Sequence, residues 1–366
     1  MQIESILSFL ESIAPPAYQE GYDNAGLITG SEDWECHGVL TTLDATEAVV
    51  EEAVARKCNL IVAHHPIVFG GLKKINGKNY VERTVIAAIR QDIAIYAIHT
   101  NLDNIVGGGV NGRMAARLGL INGRALLPRE GVLQKLACFV PVTHLEQVRN
   151  AVFGAGAGTI GDYSECSWSA DGTGTFKGGK DTQPFSGRPG ERHHEPEARL
   201  EVILPAVYSH RVVQAMKEAH PYEEVAYDLV SLANIHPGIG SGLVGELPEP
   251  LEEEVFLKKI RDAFQVPVIR HTRLTGRPVK KVALCGGTGS SLISRALSSG
   301  ANFYITSDVK YHEFFDANDR LVIADIGHFE SEQFTAELLF EVLREKFLNF
   351  AVLKSDTKTN PVKYYY

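Results

Sequence analysis

Apolar positions along this chain fall into two patterns: short unbroken runs of strand length, and stretches with the 3.6-residue period of a helix. Ile3, Ile6, Leu7, Leu10 and Ile13 mark one face of an opening surface helix. Gly38 to Asp44 predicts a strand, Thr46 to Arg56 a helix with Val49, Val50, Ala53 and Val54 inward, and Asn59 to Ala63 a buried strand that runs into His64-His65. A further strand, Ile93 to Ile98, runs into His99-Thr-Asn-Leu-Asp103.

The same plan returns near the other end. Val282 to Gly286 predicts a strand, Ser290 to Ser299 a helix, and Asn302 to Thr306 a strand ending at Ser307-Asp308. Leu321 to Ile326 then runs into Gly327-His328-Phe-Glu-Ser-Glu332. Overlaying the two stretches pairs His99 with His328 and Asp103 with Glu332, and brings Asp308 near His64-His65. The fold class expected is therefore α/β, with two related α/β lobes facing one metal cleft.

Between the lobes the pattern changes. Leu133 to Val140 predicts a strand, Thr143 to Val152 a helix, Arg199 to Leu204 a strand, Val207 to Ala219 a helix, and Glu224 to Val230 a strand. That is the split β-α-β order of ferredoxin-like domains. Its middle, Gly154 to Pro196, is rich in Gly, Ser, Thr and Pro and predicts long loops or hairpins. The domain expectation is an N-terminal lobe over 1–125, an inserted domain over 126–232 and a completing lobe over 233–366.

Composition narrows the function classes. The chain has 366 residues and a net charge of −9, so nothing global attracts nucleic acid, and no local basic-aromatic stretch does so either. No apolar run approaches the roughly 20 residues that span a bilayer, and the N-terminus lacks the basic and apolar regions of a secretory signal. Five cysteines without C-x-x-C spacing argue for a reducing compartment and against a thiolate zinc site, so the cytoplasm is the expected location.

The chemistry concentrates in the histidines. His99 with Asp103 and His328 with Glu332 repeat one phrase, His-x-x-x-carboxylate, at two strand ends, a mixed N/O donor set that suits Zn²⁺, Mn²⁺ or Fe²⁺. His64 and His65 leave a buried strand at its carboxyl end, where α/β folds place ligands. Successive side chains of an extended chain point to opposite sides, so each histidine can serve one metal, which predicts two ions. Glu332 is placed in the first turn of a helix bearing Phe334, Leu338 and Val342, where its carboxylate can bridge two cations, with Asp103 as second anionic ligand. His99 is a ligand or a partner that orients one. Asp308 and His312 are acid/base candidates. The glycine clusters 107–109 and 286–289 can present backbone N–H groups to a phosphate, although the second lacks the Gly-Lys-Ser/Thr of a P-loop.

Ala63-His64-His65-Pro66, His99-Thr-Asn-Leu-Asp103, Ser307-Asp308-Val-Lys-Tyr-His312 and Gly327-His328-Phe-Glu-Ser-Glu332, with Asp23-Asn24-Ala-Gly26-Leu27 near the start, resemble the Nif-three-like family over the whole chain. Its members are commonly named GTP cyclohydrolase 1 type 2 homologues. The resemblance implies a two-metal site in which His64, His65, Asp103, His328 and Glu332 match the family's ligands. It also implies a toroidal homohexamer and a middle segment similar to PII-like or CutA-like inserts. Asp23, Asn24, Gly107, Gly108, Gly287 and Gly289 are the substrate-binding candidates. The function expected is a dinuclear metal hydrolase of a nucleotide-like or other phosphorylated small molecule, one ion supplying hydroxide and the other polarising the electrophilic centre. The alternative is a non-enzymatic metal-binding scaffold or ligand sensor.

Overall fold

A computed structural model describes residues 1–365. The chain divides into two compact units, 1–128 with 237–366 and 129–236. The sequence pattern puts the corresponding boundaries at 126 and 232.

The first unit holds two sheets. In the five-stranded sheet the spatial order is Gly26–Thr29, Ala94–Ala97, Leu60–His65, Val39–Asp44 and Val352–Lys354. All neighbours are parallel except the edge strand Gly26–Thr29, which runs antiparallel to Ala94–Ala97. In the six-stranded sheet the order is Arg270–His271, Val322–Asp325, Phe303–Ser307, Val279–Thr288, Gly240–Leu251 and Ile121–Pro128. Here too three central strands are parallel, and a preceding short strand closes one edge antiparallel. Each sheet thus contains the same succession in chain order: after a helix, an antiparallel edge strand and three parallel strands. The opening helices are Ile3–Ile13 and Glu253–Phe264.

The apolar runs are unbroken because these parallel strands are covered on both faces. Side chains alternate across a strand, so Leu60 and Val62 pack with Ile3, Ile6, Leu10, Leu339 and Leu343, while Ile61 and Ala63 pack with Val49, Val50, Val85 and Ala88. The second sheet repeats the division. Val282, Leu284, Phe303 and Ile305 meet Phe256, Ile260 and Phe264 on one face, and Ala283, Tyr304 and Ile323 meet Ile293 and Ala296 on the other. Full burial of each such aliphatic side chain contributes about 1.5–3 kcal/mol. The strand ends are therefore held rigidly, and those ends carry the histidines.

Two local differences from the sequence pattern bear on the site. Glu332 does not open the long helix; it closes a one-turn helix, His328–Glu332, and the long helix begins anew at Thr335–Lys346. The separate turn lets the i and i+4 side chains meet, with His328 Nε2 3.1 Å from Glu332 Oε2. The helix expected over Ser290–Ser299 is a 3₁₀ turn, Ser290–Leu292, followed by Ile293–Ser298.

The second unit is a four-stranded antiparallel sheet in the order Ser167–Lys177, Arg192–Pro205, Leu133–Pro141 and Tyr227–Ser231. Helices Leu145–Gly154 and Ser209–Ala219 cover one face through Val148, Val152, Val212 and Met216, which pack on Leu136, Cys138, Leu200 and Val202. Much of the Gly-rich middle is a hairpin in which Ser167 to Lys177 pair residue by residue with Val202 to Arg192.

Candidate metal centre

Four histidines and two carboxylates converge at the ends of the parallel strands of the first unit. Ring centroids lie 4.9 Å apart for His64 and His65, 5.2 Å for His64 and His99, 5.4 Å for His65 and His99, and 5.2 Å for His65 and His328. The strand Leu60–His65 delivers the first two, the one-turn helix Thr100–Asp103 follows His99 and ends on Asp103, and the turn His328–Glu332 supplies the rest.

Each imidazole has its Nδ1 held by an oxygen acceptor. His64 Nδ1 lies 2.9 Å from the Ile98 carbonyl, His65 Nδ1 2.7 Å from Asp44 Oδ1, His99 Nδ1 2.8 Å from Asp23 Oδ1, and His328 Nδ1 2.6 Å from Asp308 Oδ2. A proton held at Nδ1 turns the Nε2 lone pair inward, the arrangement by which metal-binding histidines are oriented. His65 Nε2 and His328 Nε2 lie 3.3 Å apart, and both approach Glu332 Oε2, at 2.9 and 3.1 Å. On the other side His64 Nε2 stands 3.6 Å from Asp103 Oδ1 and 3.9 Å from Glu332 Oε1.

Those distances leave two buried atoms of the cluster, His64 Nε2 and Asp103 Oδ1, without a hydrogen-bond partner among the described residues. An orphaned buried donor or acceptor costs about 1–3 kcal/mol, so a pair pointing at the same space fits a cation between them. The donor atoms form three groups of ligand spacing: His64, His65 and His99; His65, His328 and Glu332; His64, Asp103 and Glu332. Glu332 belongs to two of the three.

The electrostatics fit a site built for positive charge. Burial pushes the Asp103 carboxyl well above its ordinary value, and the Glu332 charge adds to the effect. Burial lowers the His64 imidazole to about 4. Burial opposes the charged ring of His65, but hydrogen bonds to Asp44 and Glu332 outweigh it and raise the group to about 10. The same contest, won by Glu332 and Asp308, raises His328 to about 9. Burial works against the Glu332 charge, but the His328 and His65 imidazoles at hydrogen-bond distance, with the His64 ring nearby, outweigh it and hold the carboxyl well below its ordinary range. A divalent cation among these donors would compete with protons for the ring nitrogens.

The other sequence candidates lie around this cluster or outside it. Asp23 uses one carboxylate oxygen for His99 and the other for the Thr100 backbone and hydroxyl; despite burial these hydrogen bonds lower it to about 2. Asn24 is exposed and donates to the Val68 carbonyl at 2.6 Å. Asp308 accepts from Thr288 Oγ1 as well as facing His328. His312 is exposed on the 3₁₀ turn Tyr311–Ala317, in ring contact with Tyr311 and Phe315, and is in none of the three ligand groups. Gly107 and Gly108 are exposed, with open space around them. The Gly287 N–H donates to Ser331 Oγ at 3.0 Å, and at φ +62° a Cβ there would strike Glu332 Oε1, so its bare backbone makes room for the carboxylate. Tyr304 OH donates to the Gly289 carbonyl at 2.6 Å.

Two contributors escape the sequence reading. Asp44, which the pattern marks only as a strand terminus, pairs in register with His65 and so orients its ring; an acid at the end of a neighbouring parallel strand is the signal that could have found it. Phe69 is 57% exposed and meets the His99 ring edge-on at 5.7 Å, at the solvent side of the cluster; no sequence signal points to it.

A model of the Duf34/NIF3 (NGG1p interacting factor 3) family matches residues 1–361. The chain is 40% identical to a Halalkalibacterium halodurans protein named GTP cyclohydrolase 1 type 2 homolog, over 98% of this chain and 97% of the relative. It is 36% identical to the Bacillus subtilis protein of the same name, over the same shares. Among solved structures, a Bacillus cereus protein related to NIF3 superposes with a TM-score of 0.89 at 37% identity, covering 100% of this chain and 99% of that one.

Proposed function

The chain belongs to the Duf34/NIF3 family, and on that premise we propose that it is a dinuclear divalent-metal hydrolase of a nucleotide-like or other phosphorylated small molecule. The observation that carries the reading is the pair of buried, partnerless atoms His64 Nε2 and Asp103 Oδ1 within a set of four oriented imidazoles. His65, His328 and Glu332 would hold one ion, and His64 and Asp103 the other, with Glu332 shared and His99 beside His64 and His65. Bound Zn²⁺, Fe²⁺ or Mn²⁺ supplies activation of water at neutral pH and stabilises developing negative charge. Asp44, Asp23 and Asp308 keep a proton at Nδ1 of His65, His99 and His328, so each ring offers the opposite nitrogen. Phe69, exposed beside His99, offers an aromatic surface to a planar substrate.

The relatives' name points to opening of the imidazole ring of GTP with loss of formate as the first reaction to test. Elemental analysis of purified protein should find divalent metal, and H64A combined with E332A should remove it. Formate release from GTP by metal-loaded protein supports the cyclohydrolase reading. If GTP yields none while an unbiased metabolite screen yields another hydrolysed compound, only the substrate assignment falls. A protein that takes up no divalent metal overturns the reading altogether. The homohexamer implied by the family is the assembly proposed with it, to be read by light scattering against the 40.1 kDa chain.

A further inference from the structure

The structure assigns to residues 355–364 a task that the metal ligands do not reveal: we infer that this segment is a positioning strap which sets one half of the metal centre, the half made by His65, His328 and Glu332. The inference rests on the reading of that cluster as a metal site.

The segment leaves the strand Val352–Lys354, which lies parallel to Val39–Asp44, the strand that ends in Asp44. It is anchored at its start, where the Ser355 and Thr357 hydroxyls donate to Glu52 at 2.6 and 2.7 Å and the Asp356 N–H donates to the same carboxylate at 2.9 Å. Thr359 Oγ1 then donates to Asp44 Oδ2, while the other oxygen of Asp44 takes His65 Nδ1 at 2.7 Å. A carboxylate bonded at one oxygen can still rotate about its axis; bonded at both, it fixes the plane of the imidazole it serves.

Further along, Asn360 Nδ2 and Tyr364 OH each donate to Glu330 Oε1 at 3.1 Å. Glu330 is buried and lies on the turn His328–Glu332, between the two ligands. Its other oxygen occupies the space where Gly327, at φ +92°, lacks a Cβ. One segment therefore grips both the strand that orients His65 and the turn that carries His328 and Glu332. The two rings it governs face each other, with Nε2 atoms 3.3 Å apart. His64 instead takes its orientation from the Ile98 carbonyl, and His99 from Asp23, whose oxygens are engaged by His99 and Thr100.

The test is zinc titration of the full metal-free chain against a chromophoric chelator, for wild type, T359V, T359S and the double variant N360A with Y364F. T359V keeps the shape of threonine and removes the donor. Outer partners of metal-binding histidines typically matter by about 10- to 100-fold in affinity, so T359V should weaken one of two zinc affinities about tenfold and leave the other unchanged. T359S should restore wild-type binding, and the double variant should weaken the same affinity as T359V. D23N should instead weaken the other. Melting of the metal-free variants, read alongside, should match wild type. Wild-type affinities in both T359V and the double variant overturn the inference, as does equal weakening of both zinc ions together with lowered melting of the metal-free proteins. Failure of wild type to bind zinc, manganese or iron(II) is a distinct result, which removes the metal reading itself.

Discussion

The two lobes of the first unit share one chain path and use it unequally. In each, three parallel strands and an antiparallel edge strand bring a histidine to the last parallel strand's end, with an acid four residues on. The middle strand of the first lobe ends in His64-His65, whereas that of the second ends at Ser307 and is followed by Asp308. Four of the six donor residues thus come from the first lobe, and only His328 and Glu332 from the second. The acceptor that orients a ring also changes its origin. His65 is held by Asp44 from the neighbouring strand; His328 is held by Asp308 from the position that matches the histidine pair. A repeated framework dictates where side chains converge, and the residue placed there decides whether it binds or orients.

This unequal division between the lobes is most vulnerable at Glu332, the donor that approaches imidazoles of both. E332A should abolish tight metal uptake, lowering retention more than about 100-fold after dialysis against chelator. Retention of both ions would show that the lobes do not share a carboxylate. A smaller, selective loss is expected from the ligands nearer to each lobe. H328A should remove one equivalent and D103A the other, read by elemental analysis at one fixed free-metal concentration. If either variant loses both, the two sites are one.

The orienting acids probe the lobes more finely. D44N and D308N should each weaken the same metal, by about 10- to 100-fold, because they serve rings that share one ligand group. If the two variants weaken different metals, Asp44 and Asp308 do not play equivalent parts.

The smallest effect concerns acid. Burial works against the Glu52 carboxylate, but hydrogen bonds from Ser355, Asp356, Thr357 and Arg56 lower it from its ordinary value of 4.5 to about 2. A depressed carboxylate contributes stability above its unfolded-state value, and that contribution fades as the pH falls from about 4.5 toward 2. Protection of the Asp356 and Thr357 amides from exchange, relative to their intrinsic rates at each pH, should fall over that window in wild type, and E52Q should flatten the dependence. An unchanged profile in E52Q would place the acid sensitivity elsewhere.

Much of this framework is legible in the chain. Unbroken apolar runs such as Leu60 to Ala63 mark strands covered on both faces, and their ends locate the histidines without further information. The strand Ser167–Lys177 is far less legible. It is an exposed edge strand, mostly polar and glycine-containing, whose partner lies along one side only, so neither alternation nor apolar content announces it. Asp308 is recognisable as a site residue, but its contact with His328 depends on a close approach that spacing does not encode.

The donor types, their order and the strand ends that present them are written in the sequence, because apolar periodicity and residue chemistry are local properties. Only packing in three dimensions selects which oxygen holds each Nδ1, which atoms stay unpaired in the cluster, and that Thr359 reaches Asp44 across 315 residues. Those are matters of approach at ångström scale between segments distant in the chain. They follow from how two packed sheets set their strand ends against each other, and no local pattern carries that information.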